Sequence, residues 1–126
     1  MTAEKNRPLP EWLQTSPIAH RGFHSGKEIP ENSLAAFDAA IQMGMPIELD
    51  TQLNADGAAY VFHDYSTLRM TGRDALVREL DRAQITNLRL FGQEHQIPSL
   101  SQVLDHVAGR VPLLIELKNE GQVGVL

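Results

Sequence analysis

The sequence predicts an α/β fold with a mostly parallel sheet. Short apolar runs alternate with segments of helical spacing, and most runs are separated by stretches long enough for a helical crossover. Charged and imidazole side chains gather at the C-terminal ends of the runs, the edge where parallel α/β folds place their sites.

Residues 1–16 are polar, contain two prolines and read as an N-terminal arm that Trp12 and Leu13 can pin to the body. Pro17 to His20 is a short apolar strand, ended by Arg21-Gly22 and a loop through Pro30. Asn32 or Ser33 caps the next helix, where Leu34, Phe37 and Ile41 recur at helical spacing and Ala36 and Ala40 allow close packing. Gly44 stands where a helix-terminating glycine belongs. Pro46 to Asp50 is a second strand, Asn54 to Gly57 a turn, and Ala58 to His63 a third strand. That turn is too short for a helical crossover, so the third strand is either antiparallel or a barrel strand reached by an abbreviated connection. Residues 64–96 are mixed and polar, with one or two short helices expected within Leu76 to Leu90. Ser99 caps a helix whose apolar stripe is Leu100, Val103, Leu104 and Val107. Val111 to Leu117 reads as a fourth, buried strand.

The chain has 126 residues, 42% hydrophobic and 21% charged, which is one globular domain at most. A net charge of −5 without any basic run argues against a nucleic-acid partner. The absence of cysteine excludes disulfides, zinc thiolates and cysteine nucleophiles. There is no signal-peptide core and no apolar stretch long enough to span a bilayer, so a cytoplasmic protein without a transmembrane segment is expected.

The chemistry-bearing residues are His20 and Arg21 after the first strand, Glu48 and Asp50 in the second, His63 and Asp64 after the third, and Glu116 and Lys118 in the fourth. Alternation puts Glu48 and Asp50 on one face, and likewise Glu116 and Lys118. Three carboxylates on shared faces repel one another unless a cation sits between them, and magnesium or calcium suits oxygen ligands. Taken singly, Glu48 or Asp50 reads as a solvated strand residue, and Glu116 reads equally well as a buried partner of Lys118 or Arg21. Two histidines beside a carboxylate set point to acid–base chemistry. His24, His95 and His106 read as surface residues.

The ordered set His20-Arg21-Gly22, Pro30-Glu31-Asn32-Ser33, Ala36-Phe37, Ile47-Glu48-Leu49-Asp50 and Asp56-Gly57 resembles the opening of a glycerophosphodiester phosphodiesterase. The resemblance continues through Val61-Phe62-His63-Asp64, Leu68-Arg69-Met70-Thr71-Gly72, Ile97-Pro98-Ser99-Leu100 and Ile115-Glu116-Leu117-Lys118. It implies the N-terminal half of a TIM-type (β/α)8 barrel with a small insertion, about 64–96, after the third strand. It also implies one divalent cation, magnesium or calcium, on Glu48, Asp50 and Glu116, and a general acid and base in His20 and His63. Arg21, Lys118 and Asn32 match residues that hold or adjoin the substrate phosphate. The reaction implied is hydrolysis of a glycerophosphodiester to glycerol 3-phosphate and an alcohol.

A complete TIM barrel takes about 250 residues. Residues 17–126 are therefore expected to be a partial domain truncated after strand 4, with inward residues such as Val61 and Leu114 lacking partners and open edges prone to self-association. A lysophospholipase D or sphingomyelinase D type of enzyme is the alternative, favoured by a broad apolar approach to the site. An inactive remnant or interaction module is the non-enzymatic alternative, distinguished by whether the reading frame continues past Leu126.

Overall fold

The computed structural model describes residues 10, 11, 13 and 17–118. Trp12 and most of the 1–16 arm lie outside the described residues, while Leu13 is half-buried.

One four-stranded sheet organises the fold, with strands β1 (Ala19–His20), β2 (Ile47–Leu53), β3 (Ala59–Val61) and β4 (Leu113–Leu117). β4 runs parallel to β2 along one edge, pairing Ile47 with Leu113 through Thr51 with Leu117. β1 and β3 share the opposite edge. β1 lies parallel beside Ile47 and Glu48, and β3 lies antiparallel beside Thr51 to Leu53. The hairpin alternative for the third strand is thus the one the chain adopts. Its turn is built by Asn54, whose side-chain oxygen accepts from the N–H groups of Asp56 and Ala58, each at 3.0 Å.

Helix α1 (Leu34–Gln42) is capped by Ser33, whose hydroxyl accepts from Ala36 N–H at 3.1 Å, and the chain leaves it through Gly44 in the left-handed region. Ser99 forms a capping box with Gln102 at the helix over Leu100–Val107. Between them the 64–96 segment folds as α2 (Leu68–Thr71), a 3-10 turn (Val77–Glu79), α3 (Arg82–Thr86) and a second 3-10 turn (Leu90–Gly92). The helix after Ser99 is α4.

Two cores follow from strand alternation. Ile47, Leu49 and Val61 face α1 and α4, meeting Phe37, Ala40, Val103 and Val107, all buried. Each large apolar side chain among them contributes about 1.5–3 kcal/mol of burial. Tyr60 and Phe62 belong to a second core with Met70, Val77, Leu80, Ile85, Leu88, Leu90 and Ile97. The 64–96 segment therefore has its own interior and rests on the β3 side of the hairpin.

Several expectations are corrected. Val61 is fully buried rather than open. Leu104 is exposed, because Leu100, Val103 and Val107 already occupy the core-facing stripe of α4. The fourth strand is half-exposed rather than buried: among the described residues it pairs only with β2, so Leu114 and Leu117 meet solvent.

Gly22 is where α1 and the end of β1 come closest. A Cβ there would lie 2.8 Å from the Ala36 Cβ and 2.9 Å from the Ala36 carbonyl carbon, and its φ is +82°. Only glycine satisfies both conditions. Phe23 N–H then donates to Ala36 O at 3.0 Å, fastening the loop to the helix.

Candidate active site

The sheet register brings the polar residues together. β1 ends with His20 beside Glu48, and Arg21 N–H donates to Glu48 O at 2.8 Å. β3 descends the same edge from the other direction, and Phe62 N–H donates to Asp50 O at 3.0 Å. The ends of β1 and β3 therefore meet across residues 48–50. The antiparallel return of β3 brings the backbone next to His63 to this edge, while the His63 side chain itself meets Asp64. On the far edge Glu116 is the partner of Asp50, and Lys118 N–H donates to Thr51 O at 2.8 Å.

Glu48, Asp50 and Glu116 each offer an oxygen within 4.8 Å of the others. Asp50 is 1% exposed. Its Oδ2 accepts from Asn32 Nδ2 at 3.0 Å and lies 3.5 Å from Arg21 Nε, while its Oδ1 has no hydrogen-bond partner among the described residues. Glu48 Oε1 accepts from Arg21 N–H at 3.2 Å and stands 3.8 Å from His20 Nε2. Burial, then the charges of Asp50 and Glu116, hold the Glu48 carboxyl above its usual range despite the Arg21 N–H and His20. Glu116 has a side chain 56% exposed, with Lys118 Nζ at 3.7 Å. Three converging carboxylates with a buried free oxygen fit a hard divalent cation. Arg21 Nε meets only Asp50, at 3.5 Å, and Lys118 Nζ only Glu116, at 3.7 Å, among the cluster's carboxylates in the described residues.

The left-handed backbone of Arg21 (φ 59°) and Asn32 (φ 56°) is locked by the Asn32 N–H donating to Arg21 O at 2.9 Å. Strain of this kind concentrates at functional sites. Asn32 is buried and turned onto Asp50, and its Oδ1 has no hydrogen-bond partner among the described residues. Arg21 also donates from Nη1 to Glu31 Oε2 at 3.0 Å. His20 has a side chain 67% exposed. His63 is half-buried, with Nδ1 2.8 Å from Asp64 Oδ1.

Four residues frame this site, and of these sequence reasoning singled out only Asp64, as a polar residue at a strand end. Gln52 is buried and donates from Nε2 to Phe62 O at 2.9 Å and Asp64 O at 2.7 Å, holding the backbone around His63. Glu31, Asp64 and Arg69 join in one ion-pair network. Hydrogen bonds from Arg69 outweigh burial and bring Asp64 down to about 2. Burial raises Glu31, but Arg69 and Arg21 together leave it lowered. The signal was available in Glu31 beside Asn32 and Asp64 beside His63, charged residues adjoining expected ligands.

Of the three histidines read as surface, His24 is exposed and His95 is half-buried. His106 departs from that expectation. Its Nε2 lies 2.5 Å from Asp38 Oδ1, so it ties α4 to α1.

Residues 20–125 match the Glycerophosphoryl diester phosphodiesterase family. A glycerophosphodiester phosphodiesterase of Caldanaerobacter subterraneus is 36% identical over 115 residues, covering 85% of this chain and 46% of the relative. One from Bacillus altitudinis is 39% identical over 116 residues, covering 83% and 46%. Among solved structures, an Oleispira antarctica phosphodiesterase in complex with the product sn-glycerol-3-phosphate superposes with a TM-score of 0.74 at 32% identity, covering 85% of this chain and 47% of that one. The glycerophosphodiester phosphodiesterase of Agrobacterium tumefaciens gives 0.72 at 35% identity, covering 79% and 45%. The chain spans about half the length of the curated relatives it matches. Its α/β architecture is that of the N-terminal half of the family's TIM barrel, with β1, β2 and β4 as the parallel strands. By sequence match and by fold, the chain belongs to the Glycerophosphoryl diester phosphodiesterase family.

Proposed function

We propose that this chain bears the cation-binding and proton-transfer residues of a site that hydrolyses glycerophosphodiesters. The observation that carries the reading is the convergence of Glu48, Asp50 and Glu116 within 4.8 Å, flanked by His20 and Arg21. The sn-glycerol-3-phosphate bound to the Oleispira antarctica phosphodiesterase supports the product class.

One divalent cation, magnesium or calcium, held by Glu48, Asp50 and Glu116, would supply Lewis-acid polarisation of the phosphoryl group. Arg21 and Lys118 flank the carboxylates and hold the non-bridging phosphate oxygens. Asn32 adjoins that phosphate site, its amide fixing the Asp50 carboxylate. One of His20 and His63 takes the proton from the attacking hydroxyl, whether of water or of the substrate's glycerol. The other gives a proton to the departing alcohol oxygen as its P–O bond breaks. Attack by water gives glycerol 3-phosphate and an alcohol directly; attack by the glycerol hydroxyl gives a cyclic glycerol phosphate and the alcohol, and a water molecule then opens the ring to glycerol 3-phosphate with the two histidine roles exchanged. Among the described residues the outer edge of β4 is unpaired and Leu114 and Leu117 are exposed, which favours self-association that sedimentation velocity reads directly.

Calorimetry with magnesium and calcium should show one site that is lost in Glu48→Gln and Asp50→Asn. Unchanged affinity in both variants would sink the metal site. Release of glycerol 3-phosphate from glycerophosphocholine or glycerophosphoethanolamine tests the reaction in the protein that carries this sequence. Failure with both substrates, with cation bound, would remove the glycerophosphodiester reading.

A further inference from the structure

The geometry points to Arg69 as the positioning residue that sets the separation between Arg21 and His63. This inference rests on the roles given to those two residues above. Arg69 lies in α2, in the segment after β3, and is exposed, so its sequence position suggests an ordinary solvated arginine. Its guanidinium nevertheless makes two forked contacts. Nη1 and Nη2 donate to Glu31 Oε1 and Oε2, each at 3.0 Å. Nε and Nη2 donate to Asp64 Oδ2 and Oδ1 at 2.8 and 3.1 Å.

Both carboxylates are shared with a site residue. Glu31 Oε2 also accepts from Arg21 Nη1, and Asp64 Oδ1 also meets His63 Nδ1. The chain Arg21–Glu31–Arg69–Asp64–His63 is therefore continuous. It spans the mouth between the β1–α1 loop and the segment leaving β3. Among the described residues, Arg69 is the member that joins its two halves, since it bridges two carboxylates that cannot hydrogen-bond to each other while both are ionised.

The anchor of Arg69 is itself fixed. Its neighbour Met70 is buried in the second core, and Thr67, at the start of α2, is fully buried, its hydroxyl donating to Arg73 O. A planar guanidinium between two carboxylates holds both direction and distance, where a lysine ammonium would satisfy one at a time. The segment after β3 thereby delivers the clamp that fixes Asp64, and Asp64 fixes which nitrogen of His63 carries the proton. Gln52 holds the backbone of the same residues, so the clamp governs the side chains.

The test is the ring tautomer of His63 in the 126-residue chain, read by long-range 1H–15N correlation at about pH 8, where an ordinary imidazole is neutral. Wild type should carry its proton on Nδ1, facing Asp64. Arg69→Met should shift the tautomer ratio about fivefold toward the Nε2–H form, the scale of losing one charge-assisted restraint. Arg69→Lys should fall between the two. Where turnover is measured, Arg69→Met should lower kcat on the order of tenfold while KM moves far less. A folded Arg69→Met chain with an unchanged tautomer ratio overturns the proposal. Should Arg69→Met not fold, an unchanged ratio in Arg69→Lys does so instead. Because the spectrum needs no substrate, failure of the glycerophosphodiester reading would leave this result standing, and the converse also holds.

Discussion

Glu48→Gln should stabilise the chain in the presence of a chelator and weaken its response to a cation. Glu48 and Asp50 offer oxygens no more than 4.8 Å apart, and both side chains are shielded, at 13% and 1% exposure. Two unit charges at that distance repel by about 3 kcal/mol at an effective dielectric of about 20. Arg21, 3.5 Å from Asp50, offsets part of that field, leaving a net cost on the order of 1–2 kcal/mol. Glutamine keeps the oxygen that accepts from Arg21 N–H and removes the charge. The folded-state pKa of Glu48 lies above the ordinary 4.5, so its penalty is absent in acid and grows as pH rises through and beyond that value. The gain from Glu48→Gln should therefore grow as pH rises above 4.5 and vanish below it. At neutral pH with EDTA, thermal unfolding of the variant should rise by roughly 5 °C. Magnesium or calcium at a hundred times its dissociation constant should then stabilise wild type by about 2.7 kcal/mol. The variant should gain less than half as much. A variant that melts below wild type in EDTA, with an undiminished cation response, would refute the electrostatic reasoning.

Three further outcomes are expected. His20→Ala and His63→Ala should each cost about a hundredfold in turnover while cation-induced stabilisation survives; activity within a few fold of wild type removes that residue from the chemistry. Gly22→Ala should destabilise by about 2–4 kcal/mol through the clash with Ala36 and the positive φ; a chemical-denaturation loss under about 1 kcal/mol would contradict the close approach. Asp64 is depressed to about 2 against an ordinary 3.8, so it adds stability above pH 4 that is lost as pH falls towards 2. Asp64→Asn should flatten that acid limb in urea titrations.

How far the sequence could be read depended on periodicity. α1 and α4 followed from apolar spacing and from the capping residues Ser33 and Ser99. The carboxylate faces followed from the two-residue repeat of β2 and β4, and the structure brings Glu48, Asp50 and Glu116 together as that repeat implies. The second core was not legible. Met70, Val77, Leu80, Ile85, Leu88 and Leu90 follow neither a helical nor a strand period, because four short turns share them. The open face of β4 was misread because a continuous apolar run resembles a strand covered on both sides, whatever flanks it. The Arg69 contacts span 5 and 38 residues, and nothing local distinguishes such an arginine from a solvated one.

The antiparallel return of β3 makes the number of residues between Leu53 and Ala59 a phase setting for the chemistry. The tip itself, Ala55 to Ala58, is exposed; Asp56, whose Oδ2 accepts from Arg82 N–H at 3.1 Å, and Gly57, with φ 79°, are constrained, while Ala55 and Ala58 are free to vary. Its length is not free in the same way. Strand side chains alternate with a period of two, so removing one residue from the tip, uncompensated by a bulge, would exchange the outward and inward sets downstream. Val61 would leave the main core, and His63 and Asp64 would trade directions. Variation at this tip is therefore expected to preserve residue count, or to change it in steps of two, even where its amino acids drift.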